Sequence, residues 1–139
     1  MADSDNNNGL EVLQPAGWPR PKGYANGIAA SGRQVYVGGM IGWDENENFP
    51  SDDFIDQAEQ ALKNTVAVLA EAGAGPEHVV RMTWYVTNKQ DYLSRLPEVG
   101  KIYRSVMGRH YPAMALLQIV ALVEDRAKVE IETTAVIPE

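Results

Sequence analysis

Apolar residues recur along this chain with two different periods, and the switches between them outline the fold. Phe54, Ala58, Ala61, Leu62, Thr65 and Leu69 fall at i, i+4, i+7, i+8, i+11 and i+15, the spacing of one buried helix face. Ser51 or Asp52 is the expected N-cap of that helix, and Asp53 and Asp56 suit the positive end of its dipole. Gly73 is placed to end the helix after about residue 72, and Pro76 bars continuation. Tyr92, Leu96, Val99, Tyr103 and Val106 or Met107 repeat in the same way. A second helix is therefore expected over residues 91–107, ended by Gly108 and kinked or split at Pro97. Alternation marks the strands. Residues 79–87 place Val80, Met82, Trp84 and Val86 opposite Arg81, Thr83 and Tyr85. Residues 27–30 and 34–39 flank Ser31-Gly32 and read as a hairpin. Gly38 and Gly39 end its second strand, where a bulge or the close approach of another backbone or a ligand is expected. Residues 113–123 and 127–137, separated by Glu124-Asp125-Arg126, read as two long strands paired antiparallel.

The order β-β-α-β-α-β-β predicts an α+β domain, with two helices on one face of a mixed or antiparallel sheet. Residues 1–13 are expected to form a flexible tail and residues 14–139 a single domain, entered through an irregular Pro- and Gly-rich lead-in. On the last strand Glu130, Glu132 and Thr134 share one face, and Val129, Ile131, Thr133 and Ala135 share the other. The strand before it is apolar on both sides, with Ala115 and Leu117 against Met114 and Leu116. A sheet with one wet face alternates more cleanly than this, so a second burial partner is expected, and another copy of the chain is the natural candidate.

Composition narrows the chemistry. The 139 residues suit one domain. The formal net charge of −7 weighs against a nucleic-acid partner, since phosphate backbones are bound by clustered Lys and Arg. There is no cysteine, which removes disulfides, thiolate nucleophiles and Cys-ligated metals and fits a cytoplasmic location. No apolar run approaches the roughly 20 residues of a membrane-spanning helix, and the acidic, polar start is unlike a signal peptide, so no membrane association is expected. His78 and His110 have no metal-ligand spacing around them.

Several segments together resemble one family. They are Gly23-Tyr24, Tyr36-Val-Gly-Gly-Met-Ile41, Leu69-Ala-Glu-Ala-Gly73, Val79-Val-Arg-Met-Thr-Trp-Tyr-Val86, Tyr111-Pro-Ala-Met114 and Val129-Glu-Ile-Glu132. In this order, over about residues 14–137, they resemble the Rid family, also called YjgF-type or reactive intermediate deaminases. The resemblance implies a chorismate-mutase-like α+β fold and a homotrimer with a central β-barrel, helices outside and clefts at the subunit interfaces. It implies hydrolysis of reactive enamines and imines, such as 2-aminoacrylate, to a 2-oxo acid and ammonia, with no cofactor and no metal. Carried over by position, Glu130 matches the glutamate that handles or positions the water, and Tyr24 matches a pocket tyrosine. Met114 stands where active relatives have an arginine that pairs with the substrate carboxylate. A thioether cannot form that ion pair, and a charge-assisted bond of this kind contributes on the order of 1.5–3 kcal/mol. Gly38-Gly39-Met40 replaces the usual Ser-Gly-Gln, and Gly100 replaces an asparagine commonly found three residues before Tyr103.

The expected site therefore contains Glu130 as catalytic residue, with Tyr24, Gly38, Gly39, Met40, Met114 and Leu116 around the substrate. Met114, Met40, Leu116 and Trp84 make either a mainly apolar pocket or plain core. Arg20, Lys22, Arg109 and His110 are candidates for a replacement anion anchor. Two functions follow. One is a small-molecule enamine or imine hydrolase whose substrate is less acidic or more apolar. The other is a trimeric ligand-binding or protein-interaction module that has lost the chemistry. RNA cleavage, attached to some relatives, fits poorly with the charge balance.

Overall fold

A computed structural model describes residues 9–139. The elements run β1 (Glu11–Leu13), β2 (Gly27–Ala29), β3 (Arg33–Ile41), α1 (Phe54–Glu71), a 3-10 turn (Pro76–His78), β4 (Val79–Val86), α2 (Lys89–Leu93), α3 (Leu96–Met107), β5 (Ala113–Gln118) and β6 (Val129–Ile137). Four strands form a mixed sheet in the order β3-β6-β4-β5, and β1 and β2 form a separate antiparallel pair. Among the described residues no helix is long and apolar enough to cross a membrane.

All six residues predicted for the buried face of α1 are buried, together with Ile55 and Gln57. Asp53, one residue later than expected, is the N-cap, and its side chain accepts from the Asp56 N–H. Gly73 takes φ 75°, a left-handed value that glycine adopts without a Cβ clash. Gln57 is 1% exposed and fully engaged. Its amide nitrogen donates to the Ser51 and Arg126 carbonyls, and its oxygen accepts from the Lys128 N–H. It fastens the loop before β6 to the start of α1. The expected second helix is split into α2 and α3 ahead of Pro97, and Val99, Tyr103 and Met107 are its buried stripe.

The strand pairing departs from expectation in two places. β2 pairs with β1 and β3 pairs with β6, so residues 27–39 are not a hairpin. The same pairing orders Glu11–Leu13, within the stretch expected to be flexible; residues 1–8 of that stretch lie outside the described residues. Nor do β5 and β6 pair. β5 runs parallel to β4, as the α2–α3 crossover between them permits, and β6 lies between β3 and β4 with both edges occupied. β5 also stops at Gln118, because β4, its partner, ends at Val86. Val120 and Val123, expected inside a strand, are fully exposed in the following loop.

β6 alternates as its sequence predicts. Val129, Ile131, Thr133 and Ala135 are buried beneath the helices, while Glu130, Glu132 and Thr134 occupy the opposite face. Pairing register extends that open face across the sheet through Tyr36, Arg81, Tyr85 and Leu117. Tyr36 is 71% exposed there.

Candidate functional site

A cavity of about 500 Å³ opens between α2–α3 and the β4–β5 side of the sheet. Its floor is apolar. Trp84 on β4 and Met114 and Leu116 on β5 share the helix-facing side, because Met82 pairs with Met114 and Trp84 with Leu116. Leu96, Val99, Gly100, Tyr103 and Arg104 form the helix wall, and Lys22, Gly23 and Tyr24 come from the lead-in. The lead-in is anchored beside β5. Ala25 bridges Ala113 in parallel, and its N–H donates to the Pro112 carbonyl at 2.8 Å. This short pairing is what brings Tyr24 to the cavity. Tyr103 and Tyr111 stack at 5.6 Å, and the Tyr103 hydroxyl donates to the His110 carbonyl. Trp84 stands edge-on to Tyr92 at 6.3 Å, and its indole N–H has no partner among the described residues.

The ionisable groups lining this cavity are four tyrosines, Lys22 and Arg104; no carboxylate or imidazole is among them. Burial pushes the Tyr92 phenol upward. Burial, and after it the neighbouring Tyr111, push Tyr103 upward as well. Both phenols remain neutral donors near pH 7, so the cavity supplies no general base of its own.

The acid is on the other side of the sheet. Glu130 belongs to the open face, in register with Tyr85. The two glycines of β3 make room for it. The register shifts between Val37 and Met40, a β-bulge at Gly38-Gly39. A Cβ built on Gly39 would lie within 2.7 Å of Glu130 Cδ, so a larger residue there would push the carboxylate out of its present place. Of the expectations for the glycine pair, the bulge is present, while what comes close to Gly39 is a side chain and not the backbone or ligand expected. The neighbouring Glu132 accepts a 2.5 Å hydrogen bond from the Tyr85 hydroxyl, which holds that phenol above its ordinary pKa. Among the described residues Glu130 has no hydrogen-bond partner of this kind.

The predicted site residues thus separate into two groups. Tyr24, Met114 and Leu116 line the cavity, while Gly39 and Glu130 meet on the open face, with Gly38 beside them exposed to solvent. Met40 joins neither, because the bulge turns it inward against the core. Of the candidate anchors, Lys22 lines the cavity; Arg20, Arg109 and His110 do not. Arg104, which sequence reasoning passed over, does. Its signal was Gly100 one helical turn earlier, which leaves the space above it open. Among the described residues no group of three or more His, Asp or Glu is placed to hold a metal ion.

Comparisons place these features among known proteins. Residues 19–137 match the sequence model of the family described as Endoribonuclease L-PSP. The chain is 29% identical to the RutC family protein UK114 of Drosophila melanogaster, covering 90% of this chain and 88% of that protein. It is 31% identical to the human 2-iminobutanoate/2-iminopropanoate deaminase, covering 75% of this chain and 73% of the relative. A solved Rid-family structure of unknown function, YyfB from Yersinia pestis, superposes with a TM-score of 0.82 at 28% identity, covering 93% and 99% of the two chains. The mixed sheet with its helices on one face is the fold of these neighbours, and the chain belongs to the Rid/YjgF family.

Proposed function

We propose that this protein is a cytoplasmic enamine and imine hydrolase of altered specificity, working as a homotrimer around a central barrel of sheets. Membership of a family that includes named 2-iminobutanoate/2-iminopropanoate deaminases supports the reaction in general form. The observation that carries the reading is the separation just described. The cavity holds no base, while Glu130, seated in the Gly39 notch, lies on the opposite face of the same sheet. A second copy packed against the open face brings one protomer's glutamate to another's cavity. The exposed Tyr36 and half-covered Leu117 on that face fit such packing.

In this arrangement the enamine first tautomerises to the imine, its carbon taking a proton from water and its nitrogen returning one. Glu130 then takes a proton from water as its oxygen adds to the imine carbon. Glu130 passes that proton to nitrogen, giving the neutral carbinolamine, and then carries the hydroxyl proton to nitrogen as the C–N bond breaks, so that ammonia leaves and the carbonyl forms. One water is consumed per ammonia released, with no oxidation or reduction. The Met114, Leu116 and Trp84 floor favours an apolar substituent where active relatives grip a carboxylate. The net charge of −7 weighs against RNA as a substrate.

Met114 also supports a second reading, a trimer that binds small molecules or proteins without chemistry. Ammonia release from 2-iminobutanoate, generated in situ, separates the two. The wild type accelerates release, and Glu130→Gln, with its fold and ligand binding intact, falls by about 10²-fold or more, the scale of a general base. Equal rates for both proteins at the uncatalysed level identify the binding module.

A further inference from the structure

The helix wall of the cavity presents a cation, the exposed Arg104, that has no partner among the described residues. Arg104 lies four residues after Gly100 on α3, one turn along the same face. A Cβ built on Gly100 would be 3.0 Å from Arg104 Nη1 and 3.8 Å from Cζ, so the guanidinium rests over bare backbone. A longer side chain at position 100 would occupy its place. Two other arginines are held in ion pairs. Arg95 pairs with Asp53 at 2.6 Å and with Glu98 at 2.7 Å, and Arg126 pairs with Asp52 at 2.8 Å. Among the described residues the Arg104 guanidinium makes no hydrogen bond or ion pair, and neither does the Lys22 ammonium, which lines the same cavity. No carboxylate in the lining competes for them.

We propose that Arg104, seated over Gly100 and assisted by Lys22, is the anion anchor of this cavity. It moves the carboxylate grip from strand β5, where Met114 stands, to helix α3. The site then accepts a carboxylate-bearing imine or enamine whose hydrocarbon part lies on Met114, Leu116 and Trp84. A guanidinium fork matches a carboxylate with two parallel N–H···O bonds, and Arg104 and Lys22, both exposed at the cavity mouth, can meet the carboxylate there while the hydrocarbon lies on the floor. The imine chemistry rests on the proposed function; the anion binding does not.

The test is calorimetric titration of the full chain with 4-methyl-2-oxopentanoate, a carboxylate with an apolar chain, and with its methyl ester. The acid binds the wild type about tenfold or more tightly than the ester, and Arg104→Met removes that preference, as expected for one charge-assisted contact. Ester affinity stays unchanged in Arg104→Met, which shows that the cavity survives. Arg104→Lys retains part of the preference, Gly100→Asn reduces it by displacing the guanidinium, and Lys22→Met reduces it less than Arg104→Met. Equal binding of acid and ester by the wild type, or an acid affinity untouched by Arg104→Met, overturns the assignment. Arg104-dependent acid binding without ammonia release would sink the hydrolase reading alone. Imine hydrolysis indifferent to Arg104→Met would sink the anchor alone.

Discussion

The two long helices lie on one face of one sheet, yet they do different things there. α1 packs directly on β3 and β6, and Ala58, Ala61, Leu62 and Leu69 are completely excluded from solvent. α3 packs mainly against α1 instead of against the strands beneath it. The space left over β4 and β5 is the cavity, lined by the bulky Tyr92, Tyr103, Tyr111 and Trp84. The composition of the two regions explains the contrast. α1 offers small residues and Leu at its inner positions and approaches the sheet closely; a Cβ on Gly42 at the end of β3 would stand 2.6 Å from Gln57 Cα. α3 has Gly100 and one aromatic, Tyr103, in the corresponding stretch, and Tyr103 stacks on Tyr111 from beyond the helix instead of filling the space over the strands. One side excludes solvent; the other leaves a cavity.

Truncation on each side breaks this comparison most sharply. Leu62→Ala opens a void in the closed region and costs about 2–5 kcal/mol in urea unfolding. Leu116→Ala enlarges a space that is already there, so its cost is about 1 kcal/mol or less. Equal costs would mean that the cavity is part of a closed core.

A smaller effect joins the two regions. Arg95, the residue before α3, donates to Asp53, the N-cap of α1, and that hydrogen bond foremost lowers the Asp53 pKa from 3.8. A carboxylate lowered in the folded state stabilises the fold above its unfolded pKa, and that contribution is lost as pH falls through the folded value. Asp53→Asn keeps the cap and removes the charge. Its melting temperature falls slightly at pH 7, corresponding to about 1 kcal/mol or less for a partly exposed pair. The gap to wild type closes as the pH drops below 3.8, the ordinary value for Asp53. A gap that is constant with pH would assign the effect to packing.

How much of this was readable beforehand follows the same division. The closed region was legible because a buried helix face leaves a strict period, and each residue of the Phe54-to-Leu69 series is buried. β6 was legible for the same reason, its alternation separating Glu130 from Ile131. Pairing was not. Turn residues at Ser31-Gly32 and Glu124-Asp125-Arg126 say where the chain reverses but not which strand it then joins, and both nearest-neighbour pairings were replaced by longer-range ones. β1 escaped notice because three residues are too few to show a period. Of the expected site residues, Tyr24, Met114 and Leu116 line the cavity and Glu130 lies on the open face, while Met40 packs against the core, the other alternative, because the bulge sets it opposite Ile131. Arg104 was missed because an exposed helical arginine carries no pattern; only the empty space over Gly100 gives it meaning.

The central claim is that Glu130 of one copy serves the cavity of another, and mixed oligomers test it most directly. Glu130→Gln, with an intact cavity, is coexpressed with Met114→Trp, with a filled cavity and an intact glutamate. Each is inactive alone in the ammonia-release assay. Randomly mixed trimers are predicted to recover about a quarter of the wild-type rate, the share of interfaces that join a sound cavity to a sound glutamate. Mixed trimers as inactive as their parents would contradict the claim.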